Sequence, residues 1–285
     1  MRFLVLRTGR KCQISWKFRR DYEISYTGAT RLIFIVGDPI AQVKSPQGVT
    51  PVLRNRGADV LVVPAQVPAN ALADFVATAR QMGNVDGIIV TLPHKFAALA
   101  LCDAVSPRAA AIGAVNLMRL TPSGGWYGDM QDGLGHVAAL RQHGCEPAGQ
   151  RALVIGAGGA GTAIAFALAE AGVCALAIHD TCTDRRDNLI RKLKAHCPVV
   201  PELGSSDPTG FDLVVNATPM GMQPDDPLPI SVQRLAATTF ISDVVTMPAV
   251  PPLIAAARKR GCPTMTGTGM FQAMRNCIVD FYLNL

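Results

Sequence analysis

The residues with the clearest chemical potential are glycines that follow a short apolar run. Residues 151–155 read Arg-Ala-Leu-Val-Ile, and the next six contain four glycines, three of which are spaced as Gly-x-Gly-x-x-Gly. The first glycine allows a tight turn, the second lets backbone N–H groups approach a pyrophosphate, and the third lets a helix pack closely on the strand. The N-terminus of that helix attracts phosphate. This pattern predicts a dinucleotide-binding turn formed by Gly156, Gly158, Gly159, Ala160 and Gly161.

An acidic residue stands at the end of the next predicted strand. Asp180 follows Ala175–His179 and lies nineteen residues after Gly161. A carboxylate at this point accepts hydrogen bonds from the ribose hydroxyls of adenosine and repels a 2′-phosphate. Arg185 and Arg186 follow closely and would attract such a phosphate. We therefore predict NAD as the preferred cofactor and NADP as the second candidate, unless Asp180 only caps a turn or a helix.

Alternating apolar strands and periodic helices surround this turn. Predicted strands cover residues 32–36, 60–63, 87–91, 151–155, 175–179, 213–216 and 240–245. Predicted helices cover residues 67–82, 95–102, 133–143, an alanine-rich stretch after the glycines, the region near 186–196, and 270–282. Strands that alternate with helices of this length favour a parallel sheet with helices on its faces. The fold class is therefore α/β, with room for two domains in 285 residues.

The net charge of +6 is concentrated at the N-terminus. Residues 1–29 hold seven basic and two acidic side chains, a balance of +5 that leaves +1 for the rest of the chain. A nearly neutral body offers no basic face for nucleic acid. The basic segment is interpreted as a loose N-terminal extension or an upstream extension of the reading frame, with an Arg-rich transit peptide as the alternative.

The cysteines give no sign of a disulfide framework or a metal site. The eight cysteines are scattered, with no Cys-x-x-Cys pair and no Cys/His cluster at zinc spacing. No run of 18 uncharged apolar residues is present, so a membrane span is not expected. We expect a cytoplasmic protein with reduced thiols and no bound metal, present as a monomer or a homodimer.

Several short motifs give the chain a family resemblance. In chain order they are Gly37-Asp38-Pro39-Ile40, Lys44-Ser45-Pro46, Val90-Thr91-Leu92-Pro93-His94-Lys95, Gly113-Ala114-Val115-Asn116, Asp132-Gly133-Leu134-Gly135, the glycine turn, Asn216-Ala217-Thr218-Pro219-Met220-Gly221-Met222 and Gly269-Met270. Their order and spacing resemble the shikimate/quinate dehydrogenase family over about residues 31–282. A fold of two domains is implied, with the substrate in the cleft between them.

The resemblance also implies domain boundaries and a catalytic pair. A substrate-binding domain would cover residues 30–131 and be completed by a C-terminal helix in residues 267–285, and an NAD-binding Rossmann domain would cover residues 132–266. Lys95 matches the family's catalytic lysine and Asp132 its partner aspartate. A lysine can take the proton from a hydroxyl during oxidation and return it during reduction. Without the resemblance, Lys95 would pass for a solvated lysine and Asp132 for a helix N-cap.

Further site residues follow from the same resemblance. The implied substrate is shikimate or a related cyclic hydroxy acid, held by polar side chains from several motifs. The predicted substrate-binding residues are Ser45, Thr91, Asn116, Gln131 and Gln272. Beyond the glycine turn and Asp180, the residues predicted to bind the cofactor are Thr218, Met222 and Gly267.

Five positions depart from the family's usual residues and put the substrate in doubt. Serine, threonine, asparagine, tyrosine and glutamine are usual where this chain has Val43, Leu117, Met130, Thr246 and Met274. An unpaired polar group in a desolvated pocket costs ~1–3 kcal/mol, so losing several partners would weaken shikimate binding. Quinate or an aminoshikimate-like compound is therefore an alternative substrate. A nucleotide-binding regulatory protein with little turnover and a folate-type dehydrogenase are the remaining alternatives.

Overall fold

The computed structural model describes residues 26–284. Residues 1–25, which make up most of the predicted basic extension 1–29, and residue 285 lie outside the described part. Within it, two six-stranded sheets follow one another along the chain. No helix in this part has the length and apolar character that crossing a bilayer requires.

The first sheet is formed by the N-terminal half of the chain. Its strands are β1 (Arg31–Gly37), β2 (Val60–Gln66), β3 (Val85–Val90), β4 (Ala104–Val105), β5 (Leu117–Leu120) and β6 (Trp126–Asp129). They lie in the order β2-β1-β3-β5-β6-β4. Strand β1 pairs in parallel with β2 and β3, and β4 pairs in parallel with β6, whereas β5 runs antiparallel to both β3 and β6. The sheet is therefore mixed, with most pairings parallel.

The helices of this half connect the strands and carry local start and stop signals. They are α1 (Ser45–Asn55), a 3₁₀ turn (Ala69–Ala71), α2 (Leu72–Gln81), α3 (Lys95–Leu99) and α4 (Pro107–Ile112). Helix α4 shows these signals most completely. The Ser106 hydroxyl accepts a hydrogen bond from Ala109 N at 3.0 Å, Pro107 occupies the first turn, and Gly113 ends the helix at φ 77°.

The second sheet is wholly parallel and follows the order of a dinucleotide-binding fold. Its strands are β7 (Arg151–Ile155), β8 (Ala175–His179), β9 (Pro201–Leu203), β10 (Leu213–Asn216), β11 (Phe240–Asp243) and β12 (Thr264–Met265). They lie in the order β12-β11-β10-β7-β8-β9. The strand order reverses between β7 and β10, and ligands of such sheets bind outside the carboxyl ends of the strands at this point.

Helices cover this sheet and join it to the first. They are α5 (Asp132–Gln142), α6 (Gly159–Glu170), α7 (Thr183–His196), a 3₁₀ turn (Val232–Arg234), α8 (Pro252–Lys259) and α9 (Gly267–Leu283). Helix α6 is buried on nearly all sides, which explains its alanine-rich sequence. Helix α5 packs against α6 so closely that a side chain at Gly133 would meet the carbonyl oxygen of Ala163.

The last helix returns to the first sheet. Helix α9 packs against α5 and α1. Near its end, Tyr282 fills the space where a side chain at Gly87 of β3 would lie, and Phe281 stacks on Tyr127 of β6 with ring centroids 6.3 Å apart. The C-terminal residues therefore complete the apolar packing of the first sheet.

The structure agrees with the sequence where a strand leads directly into a turn. The predicted bounds of β7, β8 and β10 are confirmed without change. The predicted helix 67–82 begins later, because Pro68 is extended and only a 3₁₀ turn precedes α2. The predicted helix 95–102 is also too long. After Leu99 each backbone N–H donates to the carbonyl oxygen three residues earlier rather than four, and Asp103 N then donates to Trp126 O at 2.9 Å.

Candidate active site

Lys95 and Asp132 form an ion pair where the two domains meet. Lys95 is the first residue of α3, just beyond the carboxyl end of β3, and Asp132 is the first residue of α5. Lys95 Nζ donates a hydrogen bond to Asp132 Oδ2. The side chains are only 15% and 5% exposed, so solvent screens this pair less than it screens a surface pair. The structure thus brings together two residues that are 37 positions apart in the sequence.

The turn before Lys95 is held in place by backbone hydrogen bonds and by the side chain of His94. Thr91 N donates to Val36 O at 2.9 Å, and His94 N donates to Thr91 O at 3.0 Å. The His94 ring is 1% exposed, and its Nε2 lies 2.7 Å from Val67 O. These contacts fix the start of α3 and with it the direction in which the lysine side chain leaves the backbone.

Asn116 holds the other side of the Asp132 carboxylate. Its Nδ2 donates to Asp132 Oδ1 at 2.8 Å, while its Oδ1 accepts from Gln131 N at 2.9 Å. Its backbone is also bonded to both neighbouring strands, through Val90 N at 2.7 Å and Asp129 O at 2.9 Å. Each oxygen of Asp132 therefore has one partner, and the asparagine that orients it is itself immobilised.

The other predicted substrate-binding side chains occupy different environments. Ser45 is buried at the start of α1, and Thr91 is half-buried after β3; neither hydroxyl bonds to any residue between 26 and 284. Gln131 donates from Nε2 to Asp129 Oδ2 at 2.9 Å, so its amide nitrogen is already engaged. Gln272 is exposed on α9. Ser45 and Thr91 are thus the side chains with hydroxyl groups left for a ligand.

The glycine turn has the geometry that a dinucleotide requires. Gly156 adopts φ 102°, which favours glycine, and a side chain at Gly161 would strike the carbonyl oxygen of Gly156. A side chain at Gly158 would meet nothing within 4 Å, so the space there is free for a phosphate. Helix α6 begins at Gly159 and presents its unpaired N–H groups to this space.

Asp180 lies against the glycine turn. Its Oδ2 accepts from Ala157 N at 2.7 Å and its Oδ1 accepts from Cys182 N at 2.7 Å. Arg185 Nη2 lies 3.5 Å from Oδ1. An ionised carboxylate offers about four lone-pair positions, so it can still accept from ribose hydroxyls. Asp180 therefore joins the first βα turn to the second and partly neutralises Arg185.

The three remaining cofactor candidates lie beside β10 and β11, on the other side of the point where the strand order reverses. Thr218 follows β10, where its hydroxyl donates to Asn216 Oδ1 at 2.6 Å and its methyl group faces Gly156. Met222 belongs to the same loop. Gly267 begins α9, and a side chain there would strike the carbonyl oxygen of Val244, just beyond β11. The predicted cofactor residues thus surround one edge of the parallel sheet.

Several functional candidates escaped the sequence analysis. Asp129, three residues before Asp132, forms an ion pair with Arg108. His136, one turn along α5 from Asp132, is fully buried; its Nε2 lies 3.2 Å from Ser242 Oγ and its Nδ1 lies 3.5 Å from Met270 Sδ. Asp243 is fully buried at the end of β11. Asp129, His136 and Asp243 lie outside the motifs that carry the family resemblance, so no pattern in the sequence pointed to them.

The five departures fall into two structural groups. Leu117 and Met130 are fully buried, and Met274 packs where a side chain at Gly135 would lie, so these three side chains fill the interior. Val43 and Thr246 belong to segments that contact each other, because Thr246 Oγ1 donates to the backbone oxygen of Gln42, one residue before Val43, at 3.3 Å. These two departures are therefore brought together where the segment after β11 contacts the first half of the chain.

A parallel sheet with a glycine-rich turn, an acid at the end of its second strand and a lysine–carboxylate pair across the cleft defines a two-domain, dinucleotide-dependent oxidoreductase. Comparison with known proteins identifies the type. The family profile described as the shikimate dehydrogenase substrate binding domain matches residues 35–118. Shikimate dehydrogenase (NADP(+)) of Acidiphilium cryptum is 39% identical over 245 residues, covering 86% of this chain and 87% of that protein.

Solved structures give the same result. Shikimate 5-dehydrogenase from Listeria monocytogenes, in complex with shikimate and NAD, superimposes with a TM-score of 0.80 at 28% identity, covering 91% of this chain and 93% of that one. The ligand-free 5-ketofructose reductase of Gluconobacter sp. strain CHM43 gives 0.79 at 29% identity, covering 91% and 95%. The chain belongs to the shikimate dehydrogenase family of NAD(P)-dependent dehydrogenases.

Proposed function

We propose that this chain catalyses reversible hydride transfer between a nicotinamide dinucleotide and shikimate/3-dehydroshikimate or a closely related cyclic hydroxy acid. The observation that carries the proposal is the Lys95–Asp132 ion pair, which lies at the junction of the two domains and against the start of α6. The names of the relatives and the shikimate complex of the Listeria enzyme support the substrate class.

Lys95 is proposed as the acid–base group. A bound nicotinamide ring would accept or supply the hydride. During oxidation the neutral amine of Lys95 takes the proton of the reacting hydroxyl as the hydride leaves the same carbon, and during reduction the protonated, ion-paired form returns a proton to the carbonyl oxygen. Asp132 orients the amine and supplies a second acceptor for the substrate hydroxyl. The two bonds that Asp132 receives, from Lys95 and Asn116, keep that acceptor in one place.

The substrate ring is proposed to lie between Lys95 and the start of α1. The hydroxyl groups of Ser45 and Thr91, which have no partner among residues 26–284, would supply hydrogen bonds to the ring, and Asn116 would bound the site on the other side. Gln131 and Gln272 remain proposed contributors, although the first is engaged by Asp129 and the second is exposed. Quinate is the alternative substrate, because five positions depart from the family's usual residues and two of them, Val43 and Thr246, lie on segments that contact each other.

NAD is the proposed preferred cofactor. Asp180 is bonded to the backbone of both adjoining turns, which would hold its charge beside the adenosine ribose of a bound cofactor. Arg185, a cation that would attract a 2′-phosphate, is paired with Asp180. A neighbouring cavity of about 230 Å³ is lined by Arg185 and Lys192, but Lys192 Nζ donates to Ile112 O at 2.7 Å. Both cations are thus engaged, although the curated relatives carry NADP(+) in their names.

The proposal also includes the domain boundaries and the cellular setting. The substrate-binding domain would be residues 30–131 with 267–285, and the nucleotide domain residues 132–266. A cytoplasmic location is supported by the seven cysteines of the described part, all of which are free thiols. A monomer or a homodimer remains the expected assembly.

A substrate screen tests the proposal. Purified protein is assayed for reduced-cofactor absorbance with shikimate, quinate and an aminoshikimate, and in the reducing direction with 5-ketofructose, each with NAD(H) and with NADP(H). The proposal expects turnover of a cyclic hydroxy acid that is lost in Lys95→Ala. If 5-ketofructose were the only compound turned over, the proposed substrate class would be wrong. Cofactor binding without any turnover would favour a regulatory nucleotide-binding protein.

A further inference from the structure

A second ion pair is connected by hydrogen bonds to the Lys95–Asp132 pair. Arg108 of α4 contacts Asp129 at the end of β6, with Arg108 Nη2 2.6 Å from Asp129 Oδ2. The carboxylate is 8% exposed and the guanidinium side chain 32% exposed. Asp129 stands three residues before Asp132, and nothing in the comparisons or the sequence motifs assigns either partner a role.

This pair fixes the short turn that leads into α5. Asp129 Oδ1 accepts from Met130 N at 2.8 Å and from the Ser106 hydroxyl, and Oδ2 accepts from Gln131 Nε2 at 2.9 Å. Arg108 Nε donates to Met130 O at 2.8 Å. The turn of residues 129–131 is therefore bonded at its backbone and side chains, so it has little freedom to rotate.

The turn is connected to the catalytic carboxylate by a continuous set of hydrogen bonds. Gln131 N donates to Asn116 Oδ1, and Asn116 Nδ2 donates to Asp132 Oδ1. Asp132 follows Gln131 directly and begins α5. A rotation of the turn would therefore move the backbone of Asp132 and the asparagine that orients it at the same time.

We propose that Asp129 and Arg108 are positioning residues, which hold the Asp132 carboxylate in register with Lys95 Nζ. This inference rests on the proposed catalytic role of the Lys95–Asp132 pair. A misplacement of about 1 Å in such a site can cost on the order of 100-fold in rate, so a rigid support has a measurable effect.

The charge state of Asp129 suits this role. Burial opposes its ionisation, but hydrogen bonds from Ser106 and Gln131 and the charge of Arg108 together hold the pKa of Asp129 below its ordinary value. An arginine stays charged throughout the working range of an enzyme. The pair is therefore ionised whenever the enzyme works, and it supports Asp132 without taking part in proton transfer.

A double-mutant cycle tests the proposal. Asp129→Asn is made in the wild type and in Asp132→Asn, and kcat and KM are measured for substrate and cofactor, with melting temperatures as a folding check. In the wild type we expect kcat to fall about tenfold or more with the cofactor KM unchanged. In Asp132→Asn the same substitution should lower the residual kcat less than about twofold, because the carboxylate that it positions is already gone. Equal losses in both backgrounds would overturn the proposal.

A pH profile and two further variants complete the test. Asp129→Asn should change the pH dependence of kcat in the same direction as Asp132→Asn, an effect that lowered stability alone does not produce. If Asp129→Asn folds poorly, Arg108→Met, which alters a partly exposed side chain, replaces it in the same cycle. Asp86→Asn removes an ion pair with Arg31 at the opposite end of the first sheet and should change neither kcat nor its pH profile.

The outcome separates this inference from the proposed function. Retained turnover in Lys95→Ala would reject the catalytic pair itself. An inactive Lys95→Ala together with additive losses in the cycle would reject only the positioning role.

Discussion

Lys95 packs against Gly159 across the junction of the two domains. A Cβ atom built on Gly159 would lie 2.9 Å from Lys95 Cβ and 3.1 Å from Lys95 Cδ. Gly159 is the first residue of α6, directly beyond the glycine turn, and Lys95 is the first residue of α3. The proposed acid–base residue and the proposed phosphate site are therefore in van der Waals contact, and the second limits the position of the first.

Gly159→Ala is expected to lower kcat strongly, because the new methyl group would displace the stem of Lys95, which is not a flexible chain end. The loss should be about tenfold or more, as expected for a reacting group moved by a fraction of an ångström to 1 Å. Steady-state kinetics with each substrate varied would measure it. Gly158→Ala is the comparison: its side chain would meet open space, so it should raise the cofactor KM more than it lowers kcat. Equal kcat in the two variants would contradict the contact.

Lys95→Ala is expected to abolish measurable oxidation while leaving cofactor binding nearly intact, because Lys95 belongs to the substrate-binding side of the cleft. Cofactor binding would be followed by fluorescence or calorimetry, and turnover by reduced-cofactor absorbance. A variant that kept more than about a tenth of wild-type turnover would reject the acid–base role.

Asp132→Asn is expected to lower turnover greatly and to change the pH profile of kcat. The amide retains a hydrogen-bond acceptor for Asn116 but no longer gives Lys95 a charged partner. The measurement is kcat across the pH range in which the folded protein is stable. An unaltered pH profile would show that the carboxylate charge has no part in proton transfer.

The cofactor prediction depends on Asp180 and Arg185. The native protein should prefer NAD over NADP by at least about tenfold in kcat/KM, a difference of ~1.4 kcal/mol. Asp180→Asn should narrow or reverse that ratio, because it removes the repelling charge and releases Arg185. Asp187→Asn is the matched control. It removes an exposed carboxylate that is paired with Arg186, on the same helix as Arg185. Equal use of both cofactors by the native protein would contradict the prediction.

The buried His136 predicts an acid-sensitive stability. Burial lowers the pKa of His136 from its ordinary 6.5 to about 3. Between these values the unfolded chain binds a proton that the native protein does not, so the free energy of unfolding falls as the pH falls, by up to ~1.4 kcal/mol per pH unit. His136→Leu with Ser242→Ala, which leaves no stranded hydroxyl, should weaken this dependence.

Asp243 gives the opposite pH dependence of the unfolding free energy, so its contribution must be distinguished from that of His136. Burial raises its pKa from 3.8 to about 6, against hydrogen bonds from Val245 N and Asn216. Its contribution is therefore present in acid and is lost as the pH rises through that window. The informative quantity is the difference in unfolding free energy between variant and wild type, from urea titrations between about pH 4 and pH 7. A difference that does not change with pH would mean that His136 titrates normally in the native state.

Local signals in the sequence were sufficient to predict the elements around the glycine turn. The strand, the glycine turn and the following helix are adjacent in the chain, and their residue types alone specify β7, the turn and the position of Asp180 at the end of β8. The pairing of Lys95 with Asp132 is different: either residue alone fits an ordinary helix start. The family motifs predicted that pair, and the structure brings the two side chains into contact.

Elements whose stability depends on distant packing could not be predicted. Helix α1 contains Gly48 and Pro51, which disfavour a helix, but Phe271 of α9 occupies the space beside Gly48. Strands β5 and β6 have four residues each, too few to show a period. The contact of Arg108 with Asp129 spans 21 residues and requires α4 to fold beside β6. Such contacts follow from tertiary structure, which local propensity does not report.

The return of α9 to the first sheet has a consequence for synthesis on the ribosome. Tyr282 and Phe281, which complete the packing over β3 and β6, are translated only after the strands of both described sheets. Domains usually fold from the N-terminus as the chain emerges. Here the first domain exposes part of its apolar surface until α9 has been synthesised, and by then every strand of the second sheet has been synthesised. We therefore expect the nucleotide domain to fold first, and chaperones that bind apolar segments to engage the early part of the nascent chain.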